Sequence, residues 1–214
     1  MSAREEILSR VRGATADVTT EAGSVPRDRL TGSGAVDADG LTQFVEMVRD
    51  YRAEVVRVPA DGLTEAIATA LRGNGCRSVV VPEGLDPAWV ESVAGVAEVR
   101  RESRTSTHAE LDATDAVVTA AALGIAVTGT IVLDHREDQG RRALTLVPDT
   151  HVCVVRADQV VQDVPDAVAR LWPDAGDARP LTWISGPSAT SDIELQRVEG
   201  VHGPRTLVVL LVDA

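Results

Sequence analysis

Apolar residues recur at helical spacing and then in short valine runs, and the two patterns alternate along the first half of the chain. Residues 2–11 place Ile7, Leu8 and Val11 on one side of a helix, with Ser2 as its cap and Gly13 as its stop. Leu41, Phe44, Val45 and Val48 share a face in 41–51, which predicts a second helix, and 54–58 follows as a strand. Residues 63–71 are again helical and end at Gly73-Asn74-Gly75, before a short apolar strand over 78–81 that Pro82 closes. A helix over 87–93 and a strand over 96–99 continue the rhythm. Alternating helices and strands call for a parallel sheet with helices on its faces, and valine-rich strands are what burial on both faces requires.

The second half follows another pattern. A strand over 115–120 precedes Thr128-Gly129-Thr130, which leads into Ile131-Val132-Leu133. Further strand-like runs at 143–147, 151–156 and 160–161 have few helical intervals between them, which suggests hairpins, a small antiparallel extension or an edge of a mixed sheet. A helix over 165–172, a strand over 181–185, a helix or helical turn from Thr190 and a final apolar strand over 206–212 complete the chain. Between 14 and 38 the composition shifts to Thr, Gly, Ser, Asp and Pro26 with few large apolar residues. The expected organisation is a helical arm and flexible linker over 1–38, then a single α/β domain over 39–214 with a mixed, largely parallel sheet flanked by helices. No internal repeat is present, which argues against solenoids and propellers.

Composition narrows the chemistry. The 214 residues, 44% hydrophobic, suffice for one sizeable core. All 21 basic residues are arginine, so Schiff-base chemistry, a P-loop lysine and a lysine general base are excluded. A net charge of -12 and the lack of an arginine-rich run with interleaved aromatics argue against nucleic acid. The first residues lack an apolar signal core, and no stretch approaches the ~18 apolar residues of a membrane span, so a cytoplasmic protein without membrane insertion is expected. Cys76 and Cys153 are far apart and outside any C-x-x-C, so they cannot by themselves hold an iron-sulfur cluster or a structural zinc. His108, His135, His151 and His202 form no H-x-H or H-x-x-x-H pair, and no metal is expected. His151 sits in a core-like strand and reads as a satisfied histidine near a sheet end.

Three segments offer chemistry. In 179–194 a strand runs into Ser185-Gly186-Pro187-Ser188, and Thr190, Ser191, Asp192 and Glu194 follow at an expected helix start. Free backbone N–H groups and the helix dipole there would favour a carboxylate or phosphate, although a capping box of Thr190 or Ser191 with Glu194 uses the same geometry. Gly186 is expected to let a ligand approach the backbone, so that Gly186→Val would block binding in a folded chain. Thr128-Gly129-Thr130 can turn sharply and present hydroxyls to an anion or sugar, or it can be a plain turn or bulge. Arg141 and Arg142, beside Gly140, could clamp a carboxylate bidentately or meet nearby acids such as Asp134, Glu137 and Asp138.

Long strings are more specific than any of these motifs. The segments 126–133, 140–155 (GRRALTLVPDTHVCVV from Gly140) and above all 179–207 (RPLTWISGPSATSDIELQRVEGVHGPRTL) resemble the lactate utilisation protein C family, or LUD domain. The resemblance implies an α/β fold similar to ribose-phosphate isomerase, glucosamine-phosphate deaminase and CoA transferases. It also implies a part in oxidising L-lactate to pyruvate together with iron-sulfur partner proteins, with no cofactor in this chain and lactate or pyruvate as the small anionic ligand. The matching segments nominate Thr128, Gly129, Thr130, Ser185, Gly186, Ser188, Thr190 and Ser191 for binding, with Arg141 or Arg142 as counter-charge and Asp192 and Glu194 for catalysis. Where the wider family often has an acidic residue before T-G-T, this chain has Val127. Two other functions remain open from the residues: an independent isomerase or transferase acting on a phosphosugar or acyl-CoA, and a non-catalytic anion-binding module.

Overall fold

The computed structural model describes residues 2–17, 34–103, 105–172, 179–190, 198–199 and 203–213. Helix α1 (Ala3–Ala14) starts at the expected Ser2, which forms a capping box with Glu5, and none of its residues is buried. Helix α2 (Ala38–Asp50), capped by Asp37, leads through Tyr51 into β1 (Glu54–Val58). Then come α3 (Leu63–Gly73), β2 (Ser78–Val81), α4 (Pro87–Ala94), β3 (Glu98–Arg101), α5 (His108–Asp112) and β4 (Ala116–Ala120). The remaining elements are β5 (Leu123–Ile125), β6 (Thr130–Leu133), β7 (Thr150–Arg156), β8 (Val160–Val161), α6 (Val164–Leu171), β9 (Thr182–Ile184), β10 (Ala189–Thr190), β11 (Val198–Glu199) and β12 (Thr206–Val212).

Six strands form a parallel sheet in the order β1-β12-β7-β4-β2-β3. Side chains alternate between its faces, as the two-residue period of a strand requires. Val152 and Val154 of β7, with Val208 and Leu210 of β12, face α3 and α4, where Ile67, Leu71, Val90 and Val93 meet them. Cys153, Val155, Leu207, Val209 and Leu211 face the other way, against Phe44, Val45 and Val48 of α2 and against Ile131 and Leu133 of β6. β6 belongs to a second, mixed sheet ordered β8-β5-β6-β9, whose outer face packs Leu123, Ile125 and Val132 on Ala167 of α6. The layers are therefore helices, main sheet, second sheet with α2, and α6. Strands buried on both faces explain the unbroken valine runs, and of the clustered strands of the second half β6 and β8 lie in the second sheet and β7 in the main one.

Three local expectations change. Residues 143–147 are not a strand: Arg142–Thr145 form a turn of 3-10 helix, and Leu144 packs on Val80 and Val117 of the main sheet and on Leu111. A short apolar run carries no periodicity to separate these states. The third strand lies two residues later than 96–99. Thr190 is in a strand, β10, where it pairs with Val198 of β11, and the rest of the segment expected to turn helical from Thr190 lies outside the described residues. Asp115 joins β2 to β4, since its Oδ2 accepts from the Arg77 and Ser78 amides at 2.8 and 2.9 Å and from Ser78 Oγ at 3.1 Å.

Leu210 lies on β12, between β1 and β7 of the main sheet, with no exposed surface. Leu210→Ala should cost about 2–5 kcal/mol. The measurement is a urea unfolding curve, in which the midpoint falls while the slope is unchanged.

Candidate functional site

The hairpin of β5 and β6 pairs Ile125 with Thr130, and residues 126–129 make its turn. Gly129 has φ +55°, and a Cβ there would lie 2.5 Å from the Met47 carbonyl carbon and 2.6 Å from the Val48 nitrogen. Glycine is thus required because the turn rests on the backbone of α2. Val127, at the tip of this turn, is 44% exposed.

From the turn a chain of hydroxyls runs to the end of β9. Thr128 Oγ1 donates to Thr130 Oγ1 at 2.8 Å, and Thr130 Oγ1 is 2.8 Å from Ser185 Oγ. Two segments that the sequence nominated separately therefore meet. The next residue, Gly186, has φ +88°, and its bare face is covered by protein. A Cβ would lie 2.5 Å from Tyr51 Cβ and 3.0 Å from Tyr51 O, so Tyr51 fills the space expected for a ligand.

A cleft of about 210 Å³ opens beside this loop. It is lined by Trp183, Ser185, Gly186 and Ser188 from β9 and the loop after it, by Arg142, Thr145 and His151, and by Gly203 and Pro204. It lies at the carboxyl end of β9 and at the amino ends of β7 and β12, to which His151 and Leu207 belong. Ser188 is held in place by its backbone, whose N–H donates to Pro204 O at 2.8 Å.

The arginine pair separates. Arg141 turns away from the cleft: its Nε donates to Glu102 Oε1 at 3.1 Å and its guanidinium to Ser106 O at 2.6 Å. Its acid is therefore Glu102 from beyond β3, while Asp134 pairs with Arg136 at 2.7 Å. Arg142 lines the cleft, and its guanidinium donates to Thr145 Oγ1 at 3.3 Å. Among the described residues no carboxylate is within ion-pair distance of Arg142, and partial desolvation lowers its pKa. An unpaired guanidinium over a concave surface is suited to a carboxylate, which it can bind through two parallel hydrogen bonds.

His151 is where the sequence reading puts it, near the amino end of β7 with its ring hydrogen-bonded, and it also lines the cleft. It is 1% exposed, and its Nε2 lies 2.8 Å from Thr119 Oγ1 on the neighbouring strand. Burial, reinforced by the Arg142 charge, lowers its pKa to about 3, so the ring is neutral near pH 7. The same two-residue period puts Cys153 beside it, where burial pushes the thiol up to about 12 and Thr119 Oγ1 donates to Sγ at 3.7 Å. The signal in the sequence was the pair of polar residues, Thr119 and His151, at inward positions of two otherwise apolar strands.

Of the other nominated residues, Thr190 lies in β10, and Ser191, Asp192 and Glu194 lie outside the described residues. Among the described residues no cluster of three or more histidine, cysteine, aspartate or glutamate side chains could hold a metal ion.

The LUD domain family model matches residues 41–212. A protein of Deinococcus radiodurans named lactate utilization protein C is 53% identical over 175 residues, covering 82% of this chain and 80% of its own. A protein of the same name from Geobacillus thermodenitrificans is 25% identical over 199 residues, covering 84% of this chain and 81% of its own. The crystal structure of a DUF162 family protein from Deinococcus radiodurans superposes with a TM-score of 0.70 at 47% identity, covering 82% of this chain and 97% of that one.

Two outcomes follow from this geometry. Gly186→Val should lower the melting temperature, because the left-handed backbone alone costs a β-branched residue about 1–3 kcal/mol and the Tyr51 contact adds to it; an unchanged melting temperature would mean that the loop moves freely. Between pH 6.5 and about 3 the unfolded chain takes up a proton that native His151 refuses, so stability falls with acid through that window. The slope is at most about 1.4 kcal/mol per pH unit. His151→Gln removes this component, and the acid limb of its stability curve should be shallower than that of the parent by up to that slope.

Proposed function

The chain belongs to the LUD domain family, and on that footing we propose that it serves in lactate utilization by binding a small carboxylate, lactate or pyruvate, in the Arg142 cleft. The observation that carries this assignment is the division of the arginine pair: Arg141 is neutralised by Glu102, while Arg142 faces the cleft with no carboxylate partner among the described residues. The names of the relatives in Deinococcus and Geobacillus supply the metabolic setting. Size favours a small acid over a phosphosugar or an acyl-CoA, since about 210 Å³ is below the ~300–1,000 Å³ of pockets that enclose larger ligands. Ser185, backed by Thr130 and Thr128, offers the ligand a hydroxyl whose orientation is already constrained.

Oxidation of L-lactate to pyruvate releases two electrons and two protons. Clusters that accept electrons singly are held by about four thiolates. This chain has two cysteines, Cys76 ahead of β2 and Cys153 within β7, and both are buried free thiols. The electrons are therefore assigned to iron-sulfur partner proteins, and this chain to holding the acid. The setting is the cytoplasm; among the described residues no helix is long and apolar enough to cross a membrane.

Titration calorimetry with lactate and with pyruvate tests the site. Loss of a charge-assisted pair of hydrogen bonds costs about 1.5–3 kcal/mol, so Arg142→Met should weaken either ligand by about ten-fold or more. Equal affinity in the variant, or no binding of either acid to the parent protein at millimolar concentration, would overturn the assignment.

A further inference from the structure

We infer that His151, oriented by Thr119, makes the Arg142 cleft selective for carboxylates that carry an oxygen on the adjacent carbon, the 2-hydroxy and 2-oxo acids. This rests on the carboxylate-binding role proposed for Arg142 and adds a second point of contact to it. Arg142 alone would take any small carboxylate, because a guanidinium reads the carboxylate and nothing beyond it. A polar group on the cleft floor is needed to tell lactate or pyruvate from an acid with a plain alkyl chain.

His151 has the properties of that group. It lines the cleft together with Arg142 and Ser185 yet is 1% exposed, so its position is fixed by packing. One ring nitrogen, Nε2, is committed to Thr119 Oγ1 at 2.8 Å. The other, Nδ1, makes no hydrogen bond among the described residues. It is not among the buried side-chain nitrogens and oxygens that lack a partner, so it is open to the cleft, where a ligand oxygen would take the place of water on it. A ligand lacking that oxygen would displace the water without replacing its hydrogen bond, and this asymmetry is what gives polar sites their discrimination.

The Thr119 hydroxyl allows either oxidation level of the ligand. When Nε2 carries the proton and donates to Thr119 Oγ1, Nδ1 is an acceptor and suits the hydroxyl of a 2-hydroxy acid. When Thr119 rotates and donates to Nε2, Nδ1 carries the proton and suits the oxygen of a 2-oxo acid. Thr119 can serve both ways because a hydroxyl donates and accepts. Burial and the Arg142 charge keep the ring neutral, so both tautomers stay available.

The test compares pyruvate, lactate and propionate, which share a three-carbon skeleton and differ at the second carbon. Calorimetry on the parent protein should show pyruvate and lactate bound about ten-fold or more tighter than propionate. His151→Phe should bind propionate as before and reduce that preference to less than about three-fold, and Thr119→Val should lower it without abolishing it. Spectra of the parent protein with ¹⁵N-labelled histidine supply a readout that needs no variant: Nδ1 should appear protonated with pyruvate and unprotonated with lactate. Equal affinity of the parent for all three acids, or histidine nitrogens unmoved by both ligands, would overturn the selectivity while leaving the Arg142 site intact. Failure of all three to bind would instead remove the site itself.

Discussion

The structure depends on how one face of a parallel sheet is covered. The face toward α3 and α4 is apolar from edge to edge, and two helices close it. The opposite face is covered by α2 and by a second sheet, and there the apolar surface of β7 and β12 continues from Cys153 and Val155 to Leu207, Val209 and Leu211. At the amino end of β7 the pattern breaks, because His151 occupies a position that packing alone would give to valine. A polar ring so deeply buried is tolerated only with partners, and Thr119 supplies one. The cleft lies where that covering stops, so fold and site have the same origin.

Two close approaches hold the cleft wall in register with the covering layer. Gly129 lets the β5–β6 turn rest on the backbone of α2, and Gly186 lets the loop after β9 rest on Tyr51, at the end of the same helix. Both contacts are shorter than any side chain would permit. Helix α2 thereby serves as a common reference for two segments distant in sequence, and Thr130 and Ser185 meet as a consequence. These glycines would be taken from sequence alone for ligand-approach residues. Their bare faces are occupied by protein, and the ligand space lies beside them.

The parallel sheet with covering helices was legible because its strands are long valine runs and its helices show clear periodicity. The T-G-T and Ser185 segments were also legible one by one, since both are short hydroxyl-rich stretches at strand ends. What sequence could not supply was the assignment of neighbours. Arg141 and Arg142 are adjacent in the chain and chemically identical, and only the packing of Leu144 onto the sheet turns one toward Glu102 and leaves the other at the cleft. His151 was hidden for a related reason: a histidine in an apolar strand looks the same whether its ring meets core or cavity. The 3-10 turn at Arg142–Thr145, read as a strand from its apolar residues, is what places the arginine there.

Electrostatics explains why so small a site needs this construction. The chain carries a net charge of -12, so its overall field repels the anion that the site is proposed to bind. Screening over about 8–10 Å at ordinary ionic strength limits that repulsion, and a local charge can prevail at contact distance. Arg142 prevails only if no acid neutralises it, and its separation from Glu102 ensures this among the described residues. A second cation on the floor would bind anions more tightly but without regard to what else they carry. A neutral histidine beside the arginine adds direction instead of charge. The same burial that denies His151 a proton therefore leaves a donor-or-acceptor nitrogen available to the ligand, and the arginine that attracts the acid helps to keep it so.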